Sequence, residues 1–306
     1  MTFQKGKTGS FEISPYLKKI RTNPVAKNGI GSYFETELGD NLYYRTWKSV
    51  NQSKIIIGVH GMAAHSEYYV LIADQLINSG VSIYALDLKH HGLSSGKKGD
   101  LKSFNEINLQ LNEFIKMVKS KNENIQIYLM GISMGGVIAI NYSVEFPESI
   151  DGLILMAPGV KTEFKLSFLD ILKLPIYLII YLVNKSKLII NIAERAAVGT
   201  RNPLRLDYQN NDELRISKVS LRYILNLNSY KKKAFKNAAN VQHPLIIFQG
   251  TEDKLVSYEG VKSFFEKLPI KDKTFIELEG AYHSLYSDPS MIKEGWQELR
   301  EWISSH

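Results

Sequence analysis

Three residues in this 306-residue chain have the types and the order needed to turn a hydroxyl into a nucleophile: Ser133, Asp253 and His283. Ser133 lies in Gly131-Ile132-Ser133-Met134-Gly135, a G-x-S-x-G pentapeptide. A serine at the tip of a tight strand-to-helix turn projects its hydroxyl clear of the backbone. Glycines on either side remove the Cβ atoms that would collide with the neighbouring strand and helix. Taken alone the pentapeptide also fits an ordinary glycine-rich turn, so its flanks and partners decide. The apolar residues Ile125, Ile127, Tyr128, Leu129 and Met130 lead in, and Val137-Ile138-Ala139-Ile140-Asn141-Tyr142 leads out with a helical rhythm. The serine is therefore expected on a strand-to-helix corner.

A serine hydroxyl at neutral pH needs a base within hydrogen-bond reach, and that base needs an acid to orient it. His283, in Gly280-Ala281-Tyr282-His283-Ser284, directly follows an expected strand over 273–278. Asp253, in Gly250-Thr251-Glu252-Asp253-Lys254, follows one over 244–250. The order Ser, Asp, His is that of an α/β-hydrolase triad. Glu252 is the competing acid. A tetrahedral intermediate also needs two preorganised backbone donors. The amide of Met134, at the start of the helix where the dipole helps, is expected to be one. The amide of Met62, in His60-Gly61-Met62 after the third strand, is expected to be the other. His60, His65, His90 and His91 fall in similar loops and read as loop-bracing residues rather than ligands.

The elements that must position these residues alternate. An antiparallel hairpin over 33–47 is followed by strands at 54–59, 81–86, 125–130 and 152–158. Helices at 67–79, at 104–118 and after the elbow separate them. The pattern resumes with strand 244–250, a helix through Val261 and Leu268, strand 273–278 and a last amphipathic helix over 291–303. This alternation predicts an α/β fold, a mostly parallel central sheet with helices on both faces whose carboxyl edge holds the ligand. It breaks over 161–240, which shows no short apolar strand run and reads as several helices, the pattern of an inserted cap. The expected organisation is a polar, lysine-rich extension over 1–30, core over 31–160, a helical cap or lid over 161–240, and core again over 241–306.

Charge singles out the same insertion. Residues 161–240 hold 15 Lys+Arg against 6 Asp+Glu, a net +9, which leaves 23 against 25, or −2, for the remainder of a chain of net +7. With no nucleic-acid motif, that combination of basic and apolar residues points to peripheral contact with an anionic membrane or lipid rather than to nucleic acid. Within it Phe168–Val183 is strongly apolar, but Asp170, Lys173 and Pro175 leave only 174–183 uninterrupted, too short to span a bilayer. It reads either as a buried helix packed on the core or as an interfacial helix or acyl-chain wall. The absence of cysteine excludes disulfides, thiolate catalysis and cysteine-ligated metals. No H-E-x-x-H pair occurs, and no metal or cofactor is expected. The polar start Met1-Thr2-Phe3-Gln4-Lys5-Gly6-Lys7 lacks an apolar signal core, so a cytoplasmic location is expected. Oligomeric state is left open by the sequence.

Several stretches together resemble one family. These are His60-Gly61 with His65-Ser66-Glu67-Tyr68-Tyr69, then Asp87 through His91-Gly92-Leu93-Ser94 to Gly96, the elbow Gly131 to Gly136, Gln249-Gly250-Thr251-Glu252-Asp253, and Glu279-Gly280-Ala281-Tyr282-His283. The chain resembles the monoglyceride lipase and lysophospholipase branch of the α/β-hydrolases, grouped with the serine aminopeptidase-like hydrolases. The likeness covers the core from about residue 31 onward; the cap shares its position and Arg201-Asn202-Pro203. The family commonly has His where this chain has Ile132, and Gly where it has His90. The resemblance implies a cofactor-free serine carboxylester hydrolase acting on a single-chain lipid ester, with Ser133, His283 and Asp253 as its triad.

Overall fold

The structure is a computed structural model and describes residues 29–163, 168–193 and 198–306. Of the expected N-terminal extension, residues 1–28 lie outside the described residues. Eight strands form one sheet: β1 (Ile30–Glu35), β2 (Asn41–Trp47), β3 (Lys54–Val59), β4 (Val81–Leu86), β5 (Gln126–Ile132), β6 (Gly152–Met156), β9 (Leu245–Gly250) and β10 (Lys273–Leu278). Their order is β1-β2-β4-β3-β5-β6-β9-β10. β1–β2 and β2–β4 are antiparallel and every other pair is parallel.

The central strands are apolar on both faces because both are covered. Ile55, Ile57, Leu129, Leu153, Leu155 and Ile247 point to one face, whereas Ile56, Tyr128, Met130, Ile154, Ile246 and Phe248 point to the other. That is the two-residue period of a strand buried on both sides. The first face packs under α2 (Phe104–Ser120), α3 (Met134–Glu145) and α7 (Tyr258–Glu266). The second packs under α1 (Val70–Leu76) and α8 (Trp296–Ser305). The helix expected over 67–79 is a short α1 flanked by 3₁₀ turns at Ser66–Tyr69 and Ile77–Ser79. Gly80, at φ +79°, then turns the chain into β4.

Between β6 and β9 the chain leaves the sheet. It forms α4 (Phe168–Val183), α5 (Pro203–Asn210) and α6 (Leu221–Asn237), and a two-stranded antiparallel sheet of β7 (Leu188–Asn191) with β8 (Lys218–Ser220). The small sheet corrects the all-helical reading of this stretch. Leu188-Ile189-Ile190 follows an apolar helix so closely that its period is ambiguous, and its partner strand is three residues long and lies far along the chain. The insertion is bolted to the core at Asp100, whose carboxylate accepts from Ser220 Oγ at 2.6 Å and from the Arg222 guanidinium. Pro175 sits inside a continuous α4. Ile176, Leu178, Ile179, Leu182 and Val183 are exposed, so the reading of this segment as a helix buried on the core does not hold. No helix among the described residues is long and apolar enough to cross a membrane.

Candidate active site

The elbow forms where β5 hands over to α3. Ser133 is the N-cap residue of α3 at φ +55°, ψ −113°, a conformation that L-residues rarely adopt. Its N–H extends the β5–β6 ladder to the Met156 carbonyl at 3.0 Å, and its own carbonyl accepts from Gly136 at 3.0 Å and Gly159 at 2.9 Å. Both glycines of the pentapeptide are sterically required. A Cβ on Gly131 would overlap the Gly135 carbonyl, and a Cβ on Gly135 would overlap the Val59 carbonyl at the end of β3. β3 and α3 therefore touch backbone to backbone, which brings the loop after β3 against the serine. A Cβ placed on Gly61 would lie 3.5 Å from Ser133 Cβ.

The ladder continues across the same edge. Ala157 N–H reaches the Phe248 carbonyl at 2.9 Å, Thr251 N–H the Leu278 carbonyl at 3.1 Å, and Glu252 N–H the Ala281 carbonyl at 3.0 Å. The loops after β9 and β10 are thereby locked together. Across them Asp253 Oδ2 lies 2.8 Å from His283 Nδ1. Asp253 Oδ1 accepts from the amides of Leu255 and Val256 at 2.8 and 2.9 Å, and Gln249 Nε2 donates to Oδ2 at 3.3 Å. Burial pushes the Asp253 carboxyl up, but His283 and the two amides outweigh it and hold it below the usual carboxylate range. An ionised Asp253 accepts only, so His283 donates from Nδ1, and in the neutral imidazole that leaves the lone pair on Nε2. Glu252, the competing acid, is exposed and pairs with Lys254 at 2.8 Å instead.

The amides of Met62 and Met134 donate to no acceptor among the described residues. Met134 is the first residue of α3, whose N-terminal N–H groups have no intrahelical partner. The aim of the Met62 amide is fixed from behind. His60 Nε2 accepts from Leu88 N–H at 3.1 Å, which leaves Nδ1–H to donate to the Gly61 carbonyl at 2.8 Å; Ala64 N–H reaches the same oxygen at 3.1 Å. In a planar trans peptide the C=O and N–H point opposite ways, so clamping the Gly61 carbonyl also orients the Met62 N–H. His91 packs on His60 with ring centroids 4.9 Å apart, and its Nε2 lies 3.0 Å from the Met62 carbonyl. Burial holds both imidazoles down at about 3, hence neutral. His65 is hydrogen-bonded to Asp212 at 2.9 Å, so these histidines brace loops. His90 stands at φ +69°, a left-handed position that favours glycine, and its Nδ1 lies 3.1 Å from the Lys97 carbonyl.

Residues of the insertion that were not among the expected site residues also converge here. Tyr223 of α6 donates its hydroxyl to Met134 Sδ at 3.0 Å and lies 3.2 Å from His91 Nε2. Arg201 stacks over the Tyr282 ring at 4.3 Å, beside His283. Arg205 is buried against the rings of Tyr68, Tyr208 and Tyr286. The sequence signals available for these residues were a basic or aromatic character and, for Arg201, its place in Arg201-Asn202-Pro203.

Comparison with known proteins agrees with this architecture. The family model described as serine aminopeptidase, S33, matches residues 51–290. Monoglyceride lipase of Homo sapiens is 28% identical over 279 residues, covering 87% of this chain and 88% of that protein. Phospholipase YtpA of Bacillus subtilis is 27% identical over 247 residues, covering 80% and 93%. The crystal structure of Paleococcus ferrophilus monoacylglycerol lipase superposes with a TM-score of 0.75 at 26% identity, covering 87% of this chain and 99% of that one. With the family model spanning more than three-quarters of its length, the chain belongs to the serine aminopeptidase S33 family and is a serine hydrolase of the α/β-hydrolase fold.

Proposed function

We propose that the protein hydrolyses the carboxylic ester of a single-chain lipid, monoacylglycerol first, through Ser133, His283 and Asp253. The observation that carries the reading is the 2.8 Å contact between Asp253 Oδ2 and His283 Nδ1, on the sheet edge where Ser133 stands in its elbow. His283 Nε2 takes the Ser133 hydroxyl proton as Oγ attacks the ester carbonyl carbon. The Met62 and Met134 amides receive the oxyanion. Collapse of the tetrahedral intermediate breaks the ester C–O bond, and His283 returns the proton to the leaving alcohol. Water, deprotonated in turn by His283, then attacks the acyl carbon; the bond to Ser133 Oγ breaks, His283 returns the proton to that oxygen, and the fatty acid leaves. Asp253 fixes the imidazole tautomer and stabilises its cationic form.

Glycerol as leaving group is supported by relatives named monoglyceride and monoacylglycerol lipases. A lysophospholipid is the second reading, favoured by the phospholipase relative and by the net +9 of residues 161–240. The same charge speaks against aminopeptidase chemistry, which needs carboxylates to hold a substrate ammonium. Residues 161–240 serve in this reading as the cap over the site, and their exposed α4 meets an anionic membrane from the cytoplasmic side. A panel of monoacylglycerols, lysophospholipids and short p-nitrophenyl esters tests the assignment. Monoacylglycerol should turn over fastest, and Ser133→Ala should be slower on it by at least about a thousandfold. Preference for lysophospholipid would transfer the function to the second reading, and hydrolysis of aminoacyl amides alone would discard both.

A further inference from the structure

One buried carboxylate is left without a role by this mechanism, and it joins the insertion to the loop that carries the Met62 amide. Asp212 lies in the turn between α5 and β8, with its side chain only 7% exposed. Its Oδ2 accepts from His65 Nε2 at 2.9 Å and from the Tyr68 hydroxyl at 2.7 Å. Its Oδ1 accepts from Leu214 N–H at 3.0 Å, and its backbone carbonyl from Arg215 N–H at 3.2 Å. The turn shaped in this way presents Ile216 N–H to the Ala63 carbonyl at 3.3 Å. A single carboxylate thus grips two side chains at the end of the 60–65 loop and also orders the turn that grips its backbone.

The other holds on that loop come from the core. His60 and Ala64 take the Gly61 carbonyl, and Asp87 Oδ1 accepts from Ser66 N–H at 2.5 Å. The core therefore fixes Gly61, Ser66 and, through His91, the Met62 carbonyl, and Asp212 fixes Ala63 and His65 in the remainder of the loop. Of the nearby cations, Arg215 interacts electrostatically with the carboxylate, and Arg205 lies over the ring of its partner Tyr68, 4.2 Å from the centroid. Burial pushes the Asp212 carboxyl up, but the His65 and Tyr68 hydrogen bonds outweigh it and keep it ionised.

We propose that Asp212 is a positioning residue, through which the insertion holds the 60–65 loop with its Met62 amide aimed at the oxyanion. The proposal rests on the reading of Ser133 as nucleophile and Met62 as oxyanion donor. A donor held loosely loses transition-state stabilisation without losing ground-state binding, because the oxyanion charge develops only in the transition state. A residue that merely stapled insertion to core would instead lower thermal stability, or raise KM, and leave kcat alone.

The test uses the full chain with p-nitrophenyl acetate, and phenylboronic acid as a probe that forms a tetrahedral anion on Ser133 Oγ. Asp212→Asn should lower kcat about tenfold, less than the roughly 10²–10³-fold for outright removal of an oxyanion donor, with KM within about twofold. The boronate inhibition constant should rise in the same proportion, and the pH midpoint of kcat/KM should not move. An unchanged kcat and inhibition constant, or a rise in KM alone, overturns the proposal. Should Asp212→Asn fail to fold, Tyr68→Phe removes a single hydrogen bond to the same oxygen and should lower kcat about threefold, with the same parallel rise in the inhibition constant. A wild-type kcat there is equally fatal. Ser133→Ala separates the layers: if it still hydrolyses the ester, the underlying reading falls, whereas if it is dead and Asp212→Asn is unimpaired, only the role of Asp212 falls.

Discussion

Holding Ser133 at φ +55° costs on the order of 1–3 kcal/mol, and the chain bears that cost where β5, α3 and the Met156 carbonyl fix the residue from three sides. The strain lifts the hydroxyl out of the backbone plane, and nothing else in the elbow needs it. Ser133→Ala, His283→Ala and Asp253→Asn should each lower kcat by roughly three to six orders of magnitude while the protein stays folded. Because the three act as a unit, the double variants should be hardly worse than the singles, and Glu252→Gln should be near wild type. Full activity in Asp253→Asn, with loss in Glu252→Gln, would move the acid to 252. A second residue-scale effect is pH-dependent stability. His60 and His91 are held at about 3 by burial, against 6.5 for a free imidazole. The unfolded chain therefore binds protons that the native one refuses, and stability falls as pH drops from about 6.5 toward 3, by up to about 1.4 kcal/mol per pH unit for each histidine. Urea midpoints at pH 7.5 and 5.5 should converge in His91→Gln relative to wild type. An undiminished pH difference in that variant would show that His91 is not buried neutral. Ser133, Asp253 and His283 were legible in the sequence because short motifs and chain order mark them. Asp212 and Tyr223 were not, since their partners His65 and His91 lie 147 and 132 residues away and only the path of the insertion brings them together.

At the scale of elements, the sheet was legible wherever burial on both faces left an uninterrupted apolar run, as in Ile55-Ile56-Ile57 or Leu153-Ile154-Leu155. Within the insertion that signal weakens. α4 is apolar enough to pass for a core helix although Ile176, Leu178, Ile179, Leu182 and Val183 face outward, and β7–β8 depends on pairing between segments that carry no pattern of their own. In the site α3 meets the end of β3 backbone to backbone at Gly135. Gly135→Ala would drive a Cβ into the Val59 carbonyl, where backbone rather than a flexible side chain must yield. Overpacking of that kind typically costs about 1–3 kcal/mol. The shift it forces on Val59 and His60 also moves the Met62 amide. Gly135→Ala should therefore lower the melting temperature by several degrees and slow fluorophosphonate labelling of Ser133 out of proportion to its stability loss. A variant with wild-type melting and labelling would mean that α3 can withdraw from β3 without consequence.

Over the whole molecule, the excess positive charge and the densest run of exposed apolar side chains among the described residues fall on the same part. The insertion carries net +9 against −2 for all other residues. Its α4 exposes Ile176, Leu178, Ile179, Leu182 and Val183, with Ile179 63% and Leu182 70% accessible, and Lys173, Lys185 and Lys187 are exposed alongside. Lys231 and Lys233 are less available: Lys231 donates to Thr162 Oγ1, and Lys233 lies 3.8 Å from Glu145. An apolar helix face bordered by lysines is suited to the headgroup boundary of an anionic bilayer, where apolar burial adds to about 1 kcal/mol for each basic residue near the surface. Only a few lysines can reach that surface together, and their contribution is screened within a Debye length of about 8 Å at physiological salt. The protein should therefore sediment with anionic liposomes at low salt, come off substantially near about 0.5 M salt as that length shrinks, and bind neutral liposomes weakly. Ile179→Asp with Leu182→Asp should abolish attachment to either surface, and Lys185→Gln with Lys187→Gln should lower anionic binding alone. Hydrolysis of a soluble p-nitrophenyl ester should survive all four substitutions, because none of these side chains belongs to the loops after β3, β5, β9 or β10. Equal binding to neutral and anionic liposomes at every salt concentration would remove the electrostatic part of this picture. A matching loss of soluble-ester activity would instead make the outward face of α4 part of the acyl-binding wall.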